Sequence, residues 1–290
     1  MATVENKEKC MKILVTGVNG QLGYDVIKVL EARNIECKGV DIADFDLTDA
    51  QAVKNYISSF RPDAVIHCAA YTAVDKSEDN KDISNAVNIT GTENIARVCK
   101  EIHAKMMYIS TDYVFNGEGD QPFETTSPKE PKGQYGLSKS LGEEKVKEYL
   151  SEYFIVRTAW VFGINGNNFV KTMIRLGKEK EEISVVCDQF GSPTYTPDLS
   201  RLLCDIIVTD RYGIYHATNE GFISWYDFAS AIMKEPGLKA KVLPVTSENY
   251  ASKAVRPKNS RLSKKSLDQG GFERLPVWQD ALKRYVAELG

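Results

Sequence analysis

Three sets of residues in this 290-residue chain have types and spacings that could do chemistry: a glycine triplet at Gly17, Gly20 and Gly23, and two tyrosine–lysine pairs, Tyr24/Lys28 and Tyr135/Lys139. The triplet follows the apolar run Ile13, Leu14 and Val15 and precedes a helical pattern at Leu22, Val26, Ile27, Val29 and Leu30. In that context the three glycines serve different ends. The first permits a tight turn, the second lets a pyrophosphate approach the backbone, and the third lets a helix pack close to a sheet. The open N–H groups at the helix start would face the phosphates of a dinucleotide. A carboxylate that accepts hydrogen bonds from the adenosine ribose is expected roughly 20 residues further on, and Asp41 stands near that spacing, with a turn aspartate as the alternative. Residues four apart share a helix face, so each tyrosine has its lysine as a neighbour. With 14 tyrosines in the chain, about one such pair is expected by chance, so spacing does not separate the two. Placement does. Tyr24/Lys28 lies on the helix directly after the glycine loop, where its side chains point along the surface rather than over a nicotinamide, and reads as structural. Tyr135/Lys139 comes after a long loop and is preceded by the hydroxyl residues Ser110 and Thr111.

The elements that must position these groups alternate. Strand patterns at Glu36–Asp41, Ala64–Cys68, Lys105–Ser110 and Phe154–Thr158 are separated by helical patterns. One helix is expected from Asp49 to about Phe60 with Thr48 as its N-cap, and a long one from about Ile83 to His103 that includes Asn88. The economical topology is α/β, a Rossmann-like doubly wound parallel sheet with right-handed crossovers. Ligands on such sheets gather at the carboxyl ends of the strands, which puts Gly17, Asp41, Ala70 and Thr111 on one edge. The small residues Ala69 and Ala70, with Tyr71 and Thr72, would let backbone approach a nucleotide, although packing against a helix explains the alanines as well. Phe115 to Gln134 is too broken by proline and glycine for a continuous helix, and a loop of that length is usually functional. Residues 11–162 are therefore expected to form the dinucleotide-binding part and 163–290 mainly a smaller substrate-binding region. A segment near 183–218 is expected to return to the sheet, and residues 1–10 to be a flexible extension.

A net charge of −3 with a sequence pI near 5.8 gives no reason to expect nucleic acid, and no apolar run reaches the roughly 18 residues that cross a bilayer. The polar opening MATVENKEKC does not read as a secretory signal, and a cytoplasmic location is expected. Six scattered cysteines and three distant histidines suggest neither disulfides nor a metal site. The basic stretch Lys253 to Lys265 is read either as a solvated face or as cations for a diphosphate.

TGVNGQLG, the Asn88 helix, STDYVF at 110–115 and YGLSK at 135–139 resemble the extended short-chain dehydrogenase/reductases. AAYTAVDKSE, RTAWVFG, GNNFVKTM, DQFGSPT and RPKNSRL narrow the resemblance to the dTDP-4-dehydrorhamnose reductases, over nearly the whole chain from Met11. It implies reduction of the C4 ketone of a dTDP-linked 4-keto sugar by NADH or NADPH. Tyr135 would be the general acid, Lys139 would lower its pKa and hold the nicotinamide ribose, Thr111 would bond the carbonyl oxygen, and Asn88 would position a water. The remaining cofactor contacts would fall on Asn19, Gln21 and Leu22 of the glycine loop and on Asp46 and Leu47. Asp112, Trp160 and Asn168 would contact the nucleotide sugar. The related 4,6-dehydratases carry an acid after the aspartate, and here Tyr113 stands there, which disfavours dehydration. A cofactor-retaining epimerase, or a binding subunit like the regulatory one of methionine adenosyltransferase, is the alternative. A homodimer is left open. No cation stands beside Asp41 for a 2′-phosphate, so NADH is expected to serve at least as well as NADPH.

Overall fold

The computed structural model describes residues 11–249 and 252–290; the extension expected at 1–10 lies outside them. Strand β1 (Lys12–Thr16) is followed by α1 (Gln21–Ala32), β2 (Glu36–Val40), α2 (Ala50–Phe60), β3 (Ala64–His67), α3 (Thr92–Ile102), β4 (Lys105–Thr111), α4 (Gln134–Tyr149) and β5 (Tyr153–Thr158). Then come α5 (Phe169–Glu179), β6 (Glu182–Val186), α6 (Thr196–Ile207), β7 (Gly213–His216), α7 (Trp225–Lys234), β8 (Lys241–Val245) and α8 (Trp278–Leu289). The main sheet is parallel and six-stranded, in the order β7-β5-β4-β3-β1-β2.

Both faces of this sheet are covered, which is why its strands read as apolar runs rather than alternating ones. Ile13, Val15, Ile66, Met107 and Val156 point into a layer with Leu22, Val26 and Leu30 of α1 and Leu199, Leu203 and Ile207 of α6. Leu14, Val65, Met106 and Ile155 point the other way, onto Val53 and Ile57 of α2, Ile95 and Cys99 of α3, and Val146 of α4. A further core, built on Phe162, Val170, Ile183, Phe228, Trp278 and Tyr285, holds the region after residue 160 together. There β6 and β8 pair in parallel as a separate two-stranded sheet. Among the described residues no helix is long and apolar enough to cross a membrane.

One local expectation needs correction. Asp49, not Thr48, caps α2: its carboxylate accepts from the Gln51 and Ala52 N–H groups, while Thr48 donates through both its N–H and its hydroxyl to Asp46. The long helix expected around Asn88 is present without interruption, as Lys81–Asn85, a π-helical turn at Ala86–Gly91, and α3. Such turns commonly mark functional positions. Here Gly91 packs on Leu47, and the extra residue in the turn leaves Asn88 facing the loop after β3.

At the end of β1 the chain has almost no room. Gly17 takes φ +75°, and a Cβ there would come within 2.6 Å of the Ala69 nitrogen; a Cβ on Gly23 would overlap the Gly17 carbonyl oxygen. Gly23→Ala therefore forces α1 away from β1, and is expected to destabilise the fold by about 1–3 kcal/mol, as overpacking does. Thermal unfolding measures it, and an unchanged Tm would show that the helix backs off without cost.

Candidate active site

A cleft of about 900 Å³ opens at the carboxyl ends of the strands, where β1 and β3 send their chains to opposite faces of the sheet. At one end lie Gly17, Asn19, Gly20, Gln21, Leu22 and Gly23, with Asp41, Asp46 and Leu47 beyond them. Helix α1 starts at Gly20 with no side chain capping it, so its first amides face the cleft, as an anion would require. Asp41 spans the loop: its Oδ2 accepts from the Asn19 N–H at 2.9 Å and its Oδ1 from the Ile42 N–H at 2.8 Å. Ala69, Ala70, Tyr71 and Thr72 form the wall from β3.

Thr111, Asp112, Tyr135 and Lys139 line the middle. Burial pushes the Tyr135 phenol well above its ordinary value, against the opposing pull of the Thr111 hydroxyl, so the ring keeps its proton across the neutral range. Tyr113 meets the Tyr135 ring edge-on at 5.5 Å. The Lys139 side chain is 2% exposed and its Nζ sits 4.0 Å over the Tyr108 ring. Burial lowers its pKa to about 7, against the pull of Glu143. Asp112 accepts from the Thr111 hydroxyl at 2.9 Å through Oδ1, while Oδ2 is buried without a hydrogen-bond partner among the described residues. Burial pushes this carboxyl up to about 6, with the Ser260 and Thr111 hydroxyls opposing.

The far end is aromatic. Trp160, held at φ +51°, stacks on Trp225 with ring centroids 3.6 Å apart, and Phe169 and Phe228 complete the wall. Gly191 leaves the space that the Trp160 indole occupies. Arg256 also lines the cleft and donates to Asp75 at 2.7 Å. The other cations of its stretch are engaged elsewhere: Lys253 with Asp79, Lys258 with Asp188, Lys265 with Glu124, Arg261 over the Phe190 ring and Lys264 over the Phe222 ring.

Two residues named from the sequence are placed differently from the rest. Asn88 is buried outside the lining; it accepts from the Tyr71 N–H and donates to the Tyr71 carbonyl and the Ser138 hydroxyl, so it reaches the cleft only through them. Asn168 lines the cleft, but it caps α5 through Oδ1, and its Nδ2 donates to Gln21, Gly163 and Tyr285. The pair Tyr24/Lys28 does not line the cleft, and Tyr24 is 39% exposed. Sequence reasoning missed Trp225, Phe169 and Phe228, which carry no spacing signal. The histidines serve the frame: His67 is wedged between the Thr16 and Thr92 hydroxyls, His216 lies against Arg157, and His103 ends α3 in the left-handed conformation. No group of three His, Cys, Asp or Glu residues suited to a metal occurs among the described residues.

A family profile described as RmlD substrate binding domain matches residues 11–290. The spore coat polysaccharide biosynthesis protein SpsK of Bacillus subtilis is 41% identical over 96% of this chain and 97% of its own length. The dTDP-4-dehydrorhamnose reductase of Escherichia coli is 37% identical over 96% and 98%. The crystal structure of the Bacillus anthracis dTDP-4-dehydrorhamnose reductase, in complex with NADP, superimposes with a TM-score of 0.94 at 43% identity and covers 96% of this chain and 99% of that one. With a match along its described length and relatives aligned end to end, the chain belongs to the RmlD family of extended short-chain dehydrogenase/reductases, the family of the dTDP-4-dehydrorhamnose reductases.

Proposed function

We propose that this chain is an oxidoreductase that uses NADH or NADPH to reduce the C4 ketone of dTDP-4-dehydro-L-rhamnose, giving dTDP-L-rhamnose. The observation that carries the reading is the meeting of Thr111, Tyr135 and Lys139 midway along one cleft, between a glycine-lined end and an aromatic end. The names of the E. coli and B. anthracis relatives supply the sugar, and the NADP complex of the latter supports the cofactor class. The residues present fit a dinucleotide: the uncapped start of α1 meets the pyrophosphate, the Asp41 carboxylate meets the adenosine ribose, and Lys139 meets the nicotinamide ribose. The reduced nicotinamide, when bound, supplies the hydride.

The rest follows from the protein's own groups. Tyr135, which keeps its proton at neutral pH, gives it to the oxygen of the reduced carbon as general acid. A charged Lys139 beside it eases that transfer, because a nearby cation favours the phenolate left behind. The Thr111 hydroxyl orients the same oxygen. Trp160 and Trp225 offer flat apolar faces to the base and sugar, and Arg256 offers a cation to the diphosphate.

Tyr135→Phe removes the proton donor and keeps the ring. It is expected to lower kcat/KM by ~10²–10⁴-fold, about 3–5.5 kcal/mol, with folding and NADH binding retained. Tyr24→Phe, with the same spacing to a lysine, is the control and should change kcat/KM by less than about threefold. Comparable losses in both, or near-full activity in folded Tyr135→Phe, would remove Tyr135 as the acid. Cofactor choice gives a second check. Lys139 and Arg256 are the cations lining the cleft, and neither lies at the Asp41 end. NADH should therefore serve at least as well as NADPH, and Asp41→Ala should shift the ratio of kcat/KM values toward NADPH. A strong NADPH preference untouched by that substitution would place the ribose elsewhere.

A further inference from the structure

Beneath the middle of the cleft lies a buried ionic cluster that touches neither cofactor nor sugar in the reading above. Glu143, one helical turn beyond Lys139 on the same face of α4, has no exposed surface. Its Oε1 accepts from the Ser110 hydroxyl at 2.6 Å and from Arg157 Nε at 2.8 Å; its Oε2 accepts from Arg157 Nη2 at 2.8 Å and from Lys129 Nζ at 3.2 Å. Arg157, 2% exposed, also donates to the Thr125 carbonyl and abuts His216. One carboxylate thus joins the ends of β4 and β5, the loop between 115 and 134, and the helix that carries Tyr135 and Lys139. Ser110 and Arg157 are the immediate neighbours of Thr111 and Thr158, both on the cleft wall.

We propose that Glu143 is a positioning residue of the active site: bonded to Ser110, Arg157 and Lys129 one helical turn from Lys139, its carboxylate favours the charged form of the Lys139 amine and fixes α4 against β4.

The groups that face Lys139 are Glu143 on α4, Tyr108 on β4, His67 at the end of β3, and Cys68 just after it, with Tyr135 one helical turn before Lys139. Burial holds the Tyr108 phenol well above its ordinary value, lowers His67 to about 3 and raises Cys68 to about 12, so these three are uncharged at neutral pH. Tyr135 is uncharged as well. Glu143 is the anion among them; burial would raise its pKa, but Arg157, Lys129 and Ser110 bring it down to about 2. Burial favours the neutral amine and a nearby anion the charged one, so Glu143 raises the protonated fraction of Lys139.

The inference rests on Lys139 holding the nicotinamide ribose, so its test uses NADH binding, followed by nicotinamide fluorescence against pH, which needs no turnover of sugar. In the unaltered protein binding should weaken at high pH as Lys139 loses its proton, and in Lys139→Met that limb should vanish. Glu143→Gln removes the anion and leaves the Arg157 guanidinium to repel Lys139, so the limb should move down by about one unit or more. Lys129→Met has the opposite sign: a cation competing for Glu143 is gone, no buried charge is stranded, and the limb should move up. A purely structural role predicts no such pair of opposite shifts. If Glu143→Gln does not fold, Lys129→Met decides alone: an upward shift supports the proposal, and an unmoved or lowered limb overturns it. A limb that persists in Lys139→Met, or shifts of one sign in both Glu143 and Lys129 variants, overturns it too. Failure of the reductase reading is distinguishable, since it would appear as no turnover of the dTDP-linked keto sugar by the unaltered protein with these binding shifts intact.

Discussion

The molecule is built around a shortage of space at one point, the exit of the chain from β1. Strand β1 and its neighbour β3 carry their following helices to opposite faces of the sheet, and this divergence opens the cleft. The chain must turn there while almost touching Ala69, which only a residue without a Cβ at positive φ allows. Helix α1 then begins so close to that turn that no capping side chain fits between its first amides and the cleft. An unsatisfied helix start is a defect in a core and an asset beside a phosphate. The same closeness lets Gln21, at the first residue of α1, reach across to accept from the Gly163 N–H and from Asn168, so the glycine loop is also where the C-terminal region is fastened to the sheet.

The middle of the cleft has the opposite problem, an excess of charge away from water. Lys139, Arg157, Glu143 and Asp112 are all almost fully buried, and removing one partner of a buried pair typically costs about 3–5 kcal/mol. Arg157 and Glu143 satisfy one another through two hydrogen bonds, which makes them a rigid block rather than a liability. Asp112 differs, because one oxygen is left without a partner on the wall of the cleft. Backbone strain occurs at the aromatic end: Trp160 is a non-glycine residue at positive φ, worth roughly 1–3 kcal/mol, held there by the Thr194 N–H donating to its carbonyl and by the Trp225 stack. Orphaned polar atoms and strained residues that persist in an otherwise well-satisfied structure are what a binding site is expected to contain.

How much of this is legible from the chain depends on how local each cause is. The strands of the main sheet are legible because burial on both faces leaves continuous apolar runs such as Ile13–Val15, and the glycine loop because turn and close approach both act within a few residues. Sequence misplaces the cap of α2 by one position: Thr48 and Asp49 are both good caps, and the choice is settled by Asp46 engaging Thr48 first. The π-turn around Asn88 is invisible from the chain, since an apolar pattern cannot distinguish one extra residue per turn from a continuous helix. Arg256 and Trp225 reach the cleft from far along the sequence, and since Arg256 pairs with Asp75 just as its neighbours pair with Asp79, Asp188 and Glu124, nothing in the charge run itself singles it out.

The two tyrosine–lysine pairs show why a motif is a statement about surroundings. On α1, Lys28 lies 5.2 Å over the Tyr24 ring, and both groups meet solvent. On α4 the identical spacing sits where α3 and β4 cover the helix, and burial acts in opposite directions on the two members: it holds the proton on the phenol and loosens it from the amine. Each of those displacements comes chiefly from burial and moves its group away from the proton affinity it would have in water. They are useful together only while Lys139 keeps its charge, which is why an anion one turn further along the helix belongs to the same device. Catalytic competence at this position is thus a property of the packing around α4, and the residue types supply only the atoms on which that packing acts.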